Sequence, residues 1–175
     1  VQEPNTSALS ESMVRKNNTA QFVGFRLEDQ EYAFRIEQIQ EIVILRQITH
    51  TPQVPDYVEG VSNLRGTIIP IINLRCLFGL ESRPTDRESR TIVVNVGERT
   101  MGCTVDAVTQ VIRIPTESIQ PAPDMITADQ TGYITGFAKL DDRILVILNI
   151  NELLEPDKLD QVQRAAIHNT ATPEI

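Results

Sequence analysis

Two stretches decide the fold because they can be laid over one another: FRIEQIQEIVI at residues 34–44 and CTVDAVTQVIR at residues 103–113. Ile36, Glu37, Ile39, Glu41 and Ile42 of the first fall on Val105, Asp106, Val108, Gln110 and Val111 of the second, at a constant spacing of 69 residues (36 to 105). Further along, GVSNLRGTIIPIINLRCLFG (60–79) is answered by GFAKLDDRILVILNINELL (136–154). Gly60, Leu64, Ile68, Asn73, Leu74 and Leu77 fall on Gly136, Leu140, Ile144, Asn149, Ile150 and Leu153, now 76 residues apart (60 to 136). The larger spacing in the second block places one extra short loop in the second copy, within IQPAPDMITADQTGY at 119–133. Self-similarity at a fixed spacing marks a duplicated structural unit.

Both copies alternate as half-buried strands do. Val23, Phe25 and Leu27 fall on one side, Asp29-Gln30 offers a turn, and Tyr32, Phe34 and Ile36 resume the alternation, which predicts a hairpin. Two more are predicted at 91–105, turning at Gly97-Glu98, and at 134–148, turning at Asp141-Asp142. Helix signals are short: Leu74 to Phe78, Ile150 to Leu154, and a C-terminal helix over 156–168 with Leu159, Val162 and Ala166 on one face. Residues 1–19 and 169–175 are polar, lack periodicity and read as flexible tails. A β unit of about 65 residues is marginal alone, so the copies, about 20–80 and 90–155, should pack together as small barrels or strongly bent sheets. Whether they exchange strands stays open at this point. Residues 81–90 (ESRPTDRESR), between the copies, read as a solvated linker, and Pro70 within an apolar strand implies an edge or a bulge.

Composition excludes several functions. A net charge of -8 opposes tight binding to nucleic acid or to an anionic membrane surface, and the apolar stretches 67–74 and 144–148 are too short to span a bilayer. Only three of the 16 cations are lysines, and arginine favours planar, bidentate protein contacts. Cys76 and Cys103 stand apart without metal-ligand spacing and read as small buried apolar residues, so neither zinc site nor disulfide is signalled. There is no phosphate-binding glycine loop and no nucleophile motif, and no cofactor is indicated. His50, in ITHTPQVP, and His168 read as surface residues. Asp141-Asp142 reads as a turn. A small hydrolase or ligand-binding barrel using Asp141, Asp142, Glu41 and Arg65 is the remote alternative.

One departure from the repeat carries the functional reading. Arg65 is answered by Asp141 and Glu41 by the uncharged Gln110, although residues required by the fold should be kept in both copies. Glu41 and Arg65 therefore mark the first copy as chemically distinct. They are expected near one another on an exposed surface, as an ion pair with Ile39 as apolar neighbour, while Gly60 and Gly66 serve the backbone.

These same stretches resemble a known family. EYAFRIEQIQEI (31–42), TPQVPDYVEGVSNLRGTIIPIINLRCLFG (51–79), the Gly-x-x-Val-Asp-x-Val at 102–108 and GFAKLDDRILVILNINELL (136–154) are similar to the CheW family of bacterial chemotaxis coupling proteins, over about residues 20–155. The resemblance implies a mostly β fold of two small five-stranded SH3-like barrels, and a non-enzymatic adaptor. It would bridge the cytoplasmic tip of a chemoreceptor and the regulatory domain of the histidine kinase CheA, in cytoplasmic arrays at the inner face of the membrane. It carries receptor and kinase contacts onto Ile39, Glu41, Gly60 and Arg65, with Asn63 and Gly66 shaping the Asn-Leu-Arg-Gly motif. A scaffold of another chemosensory pathway, serving surface motility or second-messenger control, fits the same motifs. Asn73 stands where the family often has Asp.

Overall fold

The computed structural model describes residues 18–45, 47–123 and 132–153, with Asp160, Val162 and Arg164. The expected tails lie almost wholly outside the described residues, as does most of the C-terminal helix. Its three described residues are helical, and Val162 is buried in the core.

The first copy supplies β1 (Thr19–Leu27), β2 (Gln30–Arg35), β3 (Ile39–Val43), β4 (Val58–Leu64), β5 (Thr67–Asn73) and helix α1 (Leu74–Leu77). The second supplies β6 (Arg90–Val96), β7 (Arg99–Val105), β8 (Ala107–Pro115), β9 (Ile119–Pro121), β10 (Ile134–Leu140), β11 (Arg143–Leu148) and helix α2 (Ile150–Leu153). The hairpins turn at Gly97-Glu98 and Asp141-Asp142, and the first at Glu28-Asp29, one residue earlier than the alternation suggests.

Two sheets result, in the orders β8-β1-β2-β11-β10-β9 and β3-β6-β7-β5-β4. Neither belongs to one copy. The β1–β2 hairpin of the first copy sits among strands of the second, and the β6–β7 hairpin of the second sits among strands of the first. Replacing each strand by its counterpart turns one order into the other. The three-residue β9 is matched in the second sheet by a single bridge, Thr49 to Val61. Each sheet contains one parallel pairing, β11 with β2 and β5 with β7, and the rest is antiparallel. Among the described residues the chain passes between sheets twice: from β2 to β3 through a 3₁₀ turn (Ile36–Gln38), and from β7 to β8 through Asp106 alone.

The repeat extends to irregularities. Register shifts leave Gln40 and Thr109 unpaired at matching points of β3 and β8, and Glu59 and Thr135 at matching points of β4 and β10. Asn73 and Asn149 do the same work: the Asn73 Oδ1 accepts from Arg75 N at 2.9 Å and the Asn149 Oδ1 from Asn151 N at 3.0 Å. Both donate their backbone N–H to a tyrosine carbonyl, of Tyr57 and Tyr133, at 2.7 Å. Asparagine and aspartate cap helices about equally well, so Asn73 serves this position as well as the Asp that the resemblance implies.

The largest apolar cluster is shared between the sheets, joining Phe25, Phe34 and Leu148 of the first to Ile72, Ile92 and Cys103 of the second. Each sheet keeps a smaller cluster of its own, Phe22, Ile112, Leu145 and Ile147 in one and Ile69, Ile71 and Val93 in the other. Burial raises the Cys103 thiol to about 12. Cys76, expected to be buried, is only half-buried, because α1 is a single turn with one face to solvent. Pro70 lies neither on an edge strand nor at a register shift. β5 is interior, but its parallel ladder to β7 begins at Ile71, so the missing N–H precedes the ladder. The segment 81–90 is exposed yet tied down: Arg83 reaches Asp106 at 3.3 Å and Glu88 meets Arg26 at 2.8 Å.

Candidate partner-binding site

Glu41 lies on β3, an edge strand, immediately after the register shift at Gln40. Such a shift re-aims the side chain that follows it. Arg65 lies in the two-residue turn between β4 and β5, closed by the pair Leu64 and Thr67. Its φ is +51° and that of Gly66 is +87°, the conformation of a tight hairpin turn that favours Asn, Asp and Gly. Arginine is an unfavoured choice there. The counterpart Asp141 has φ +52°, so the second copy places a residue suited to the same backbone where the first accepts a strained one.

The strain is explained by where the guanidinium goes. Arg65 Nη1 donates to Glu41 Oε1 at 2.7 Å and Nη2 donates to Oε2, a bidentate fork that raises the arginine pKa further, through the hydrogen bond first and the charge second. The Arg65 side chain stays 71 % exposed while Glu41 is 19 % exposed. The pair thus presents a cation to solvent, held by a carboxylate behind it. Val43 and Leu64, beside the two residues, pack on the Ile69, Ile71 and Val93 cluster. Asn63 Oδ1 accepts the Gly66 N–H at 2.8 Å and closes the turn.

Gly60 is placed differently. It is buried within β4 at φ +148°, and a Cβ there would stand 2.0 Å from the Thr49 carbonyl oxygen. It seats the segment before β4 and offers a partner no surface. Gly136 does the same against Gln120, whose oxygen would lie 2.5 Å from its Cβ. Ile39, expected as the apolar neighbour of the pair, is half-buried against the shared core, because the first residue of β3 still points between the sheets. The exposed apolar residues of this segment are Ile42 (39 %) and Ile44 (61 %), on the other side of the β3 alternation. Alternation from Ile39 already separates them from it, but exposure could not be read without the partner strands. Val111, the counterpart of Ile42, and Ile144 are each 59 % exposed on the other sheet.

The four residues of the alternative catalytic reading are not assembled. Glu41 and Arg65 belong to the second sheet, and Asp141 and Asp142 form a turn of the first. Among the described residues no three His, Cys, Asp or Glu side chains are placed to hold a metal ion, and no helix is long and apolar enough to cross a membrane. His50 is exposed, its Nδ1 2.8 Å from the Glu59 carbonyl oxygen.

A CheW-like domain profile matches residues 21–158, spanning both sheets and the pair. The chain belongs to the CheW family. It is 37 % identical over 146 residues to a chemotaxis protein CheW of Klebsiella aerogenes, covering 83 % of this chain and 88 % of that protein. It is 39 % identical over 137 residues to a chemotaxis protein CheW of Helicobacter pylori, covering 78 % and 82 %. The crystal structure of the scaffolding protein TtCheW from Thermoanaerobacter tengcongensis superimposes with a TM-score of 0.73 at 37 % identity, over 79 % of this chain and 94 % of that one. CheW proteins are chemotaxis scaffolds and not enzymes, and the two-sheet β fold described above is theirs. In the CheW fold the Glu41–Arg65 pair stands out because it strains a turn to expose a guanidinium held by a mostly covered carboxylate.

Proposed function

We propose that this CheW-family chain is an adaptor that couples the cytoplasmic tips of chemoreceptors to the regulatory domain of the kinase CheA, within arrays at the inner face of the membrane. One observation carries the reading: the arginine held at a left-handed turn position by a bidentate carboxylate, where the duplicate has Asp141. An exposed surface pair adds little to stability, so the strained arginine needs another use. A fixed guanidinium supplies direction to a protein contact, because its remaining donors point outward in one orientation. In this reading Arg65 and Glu41 touch or orient the partner, Asn63 and Gly66 shape the turn, and Gly60 and Ile39 act from inside. Contacts of this size are weak singly and gain strength through repetition in an array.

The test is a reconstituted mixture of receptor fragment, CheA and the adaptor. Arg65→Asp is expected to keep the fold and lose receptor control of kinase autophosphorylation. Full receptor control by that variant would remove Arg65 from the interface. Failure of the unaltered chain to bind either protein would remove the adaptor reading.

A further inference from the structure

The two passages of the chain between the sheets are built unequally. At the passage from β7 to β8, the Asp106 side chain is 5 % exposed, and its Oδ2 accepts Arg75 Nη1 at 2.6 Å and the Glu28 backbone N–H at 2.8 Å, with Arg83 Nη2 at 3.3 Å. Arg75, its side chain 6 % exposed on α1, also pairs with Glu28 and donates Nε to the Glu81 carbonyl at 2.8 Å. The Asp106 N–H donates to Arg26 O at 3.1 Å. One buried carboxylate thereby joins the β1–β2 turn of the first sheet, α1 behind the second, and the segment between the copies.

Among the described residues the other passage has none of this. Glu37, the counterpart of Asp106, is exposed on the Ile36–Gln38 turn, and Asn151, the counterpart of Arg75, is exposed on α2. Gln38 adds a buried Oε1 with no hydrogen-bond partner among the described residues, a cost the Asp106 passage avoids. Both passages lead into edge strands, β3 and β8, so edge position does not separate them.

We infer that Asp106 and Arg75 lock one passage while the Ile36–Gln38 turn leaves the other compliant, so that the sheets move relative to one another about Asp106 and the movement is taken up at β3. Hinges of this kind are a few residues at element ends that absorb backbone rotation. β3 carries Glu41, so movement there shifts the carboxylate that fixes Arg65. This last consequence rests on the partner-binding reading of that pair; the locked and compliant passages do not.

Hydrogen exchange of the full chain tests it without any partner. Amides of residues 38–42 are expected to exchange roughly tenfold faster than the matched amides of 107–111. Asp106→Asn should raise exchange at 107–111 toward that of 38–42 and leave 38–42 unchanged. Arg83→Ala, which removes only the outermost cation, should give a smaller rise confined to the same peptide, and serves if Asp106→Asn fails to fold. Equal rates at the two passages in the unaltered chain, or variants that speed both equally, overturn the inference. Either result leaves the adaptor reading standing, since that reading fails on partner binding alone.

Discussion

Gly60→Ala is the sharpest perturbation of the candidate site's foundation, because its cost follows from two independent features. The added Cβ would lie 2.0 Å from the Thr49 carbonyl oxygen and 2.7 Å from its carbon, both backbone atoms that no side-chain rotation can clear. The backbone at φ +148° is also closed to L side chains, a strain of about 1–3 kcal/mol. The clash can be relieved only by lifting the segment off β4, which breaks Thr49 N to Val61 O at 2.8 Å and Val61 N to Thr49 O at 2.9 Å. Two backbone hydrogen bonds are worth about 1–3 kcal/mol together. The combined loss, about 2–6 kcal/mol, lowers the melting temperature by roughly 4–24 °C in a chain of this size. Gly66→Ala is the control: its φ is +87° but nothing lies within 4 Å of the added carbon, so strain alone costs about 1 kcal/mol, roughly 2–4 °C. Thermal unfolding of both variants decides. If Gly60→Ala melts no lower than Gly66→Ala, Gly60 does not seat the Thr49 segment.

Other outcomes follow from the same geometry. Arg65→Asp puts a turn-compatible residue where the second copy already has Asp141, so its melting temperature should match or exceed that of the unaltered chain while receptor control of the kinase is lost; a large drop in melting temperature would show the pair to be structural. Burial raises the Glu59 carboxyl above its ordinary 4.5, opposed by the Thr104 and Asn73 hydrogen bonds and by His50. The folded state then holds a proton the unfolded state has released, and stability falls as pH rises from 4.5 through the folded value. Glu59→Gln should flatten that part of a denaturant-midpoint profile, and an unchanged slope would reject Glu59 as its source. Cys103, fully buried and raised to about 12, should resist a thiol reagent until the protein unfolds, whereas half-buried Cys76 reacts in the native state. Two thiols reacting at one rate without denaturant would contradict the burial.

Legibility in the sequence divides along local and non-local lines. The hairpins were readable because period-two alternation and turn residues are local, and Asn73 and Asn149 were readable as equivalents from their place in the repeat, while their shared role as caps is seen only in the fold. The Glu41–Arg65 pair was readable for a different reason: a duplicate supplies its own control, and the two residues break the match together. The half-burial of Ile39 was not readable, because alternation tells which residues share a side but not which side is covered. Gly60 was legible as a backbone requirement, yet its cause, the Thr49 carbonyl, is set by a segment eleven residues away in the chain.

Strand exchange lies beyond such reading for a physical reason. A strand's alternation is satisfied equally by its own copy's neighbours or by the other's, and the two sheet orders are the same under the repeat. What selects the exchanged arrangement is the pair of passages. Asp106 allows one residue between β7 and β8, too short for β8 to fold back beside β7, so it must continue into the opposite sheet. In sequence, Asp106 and Glu37 look like the same acid kept twice. In the fold one is buried under two arginines and the other faces solvent, so the match that argued for duplication concealed the point at which the copies diverged. Where a repeat is this close, the residues that agree can differ in role as much as those that disagree, and only their partners separate the two.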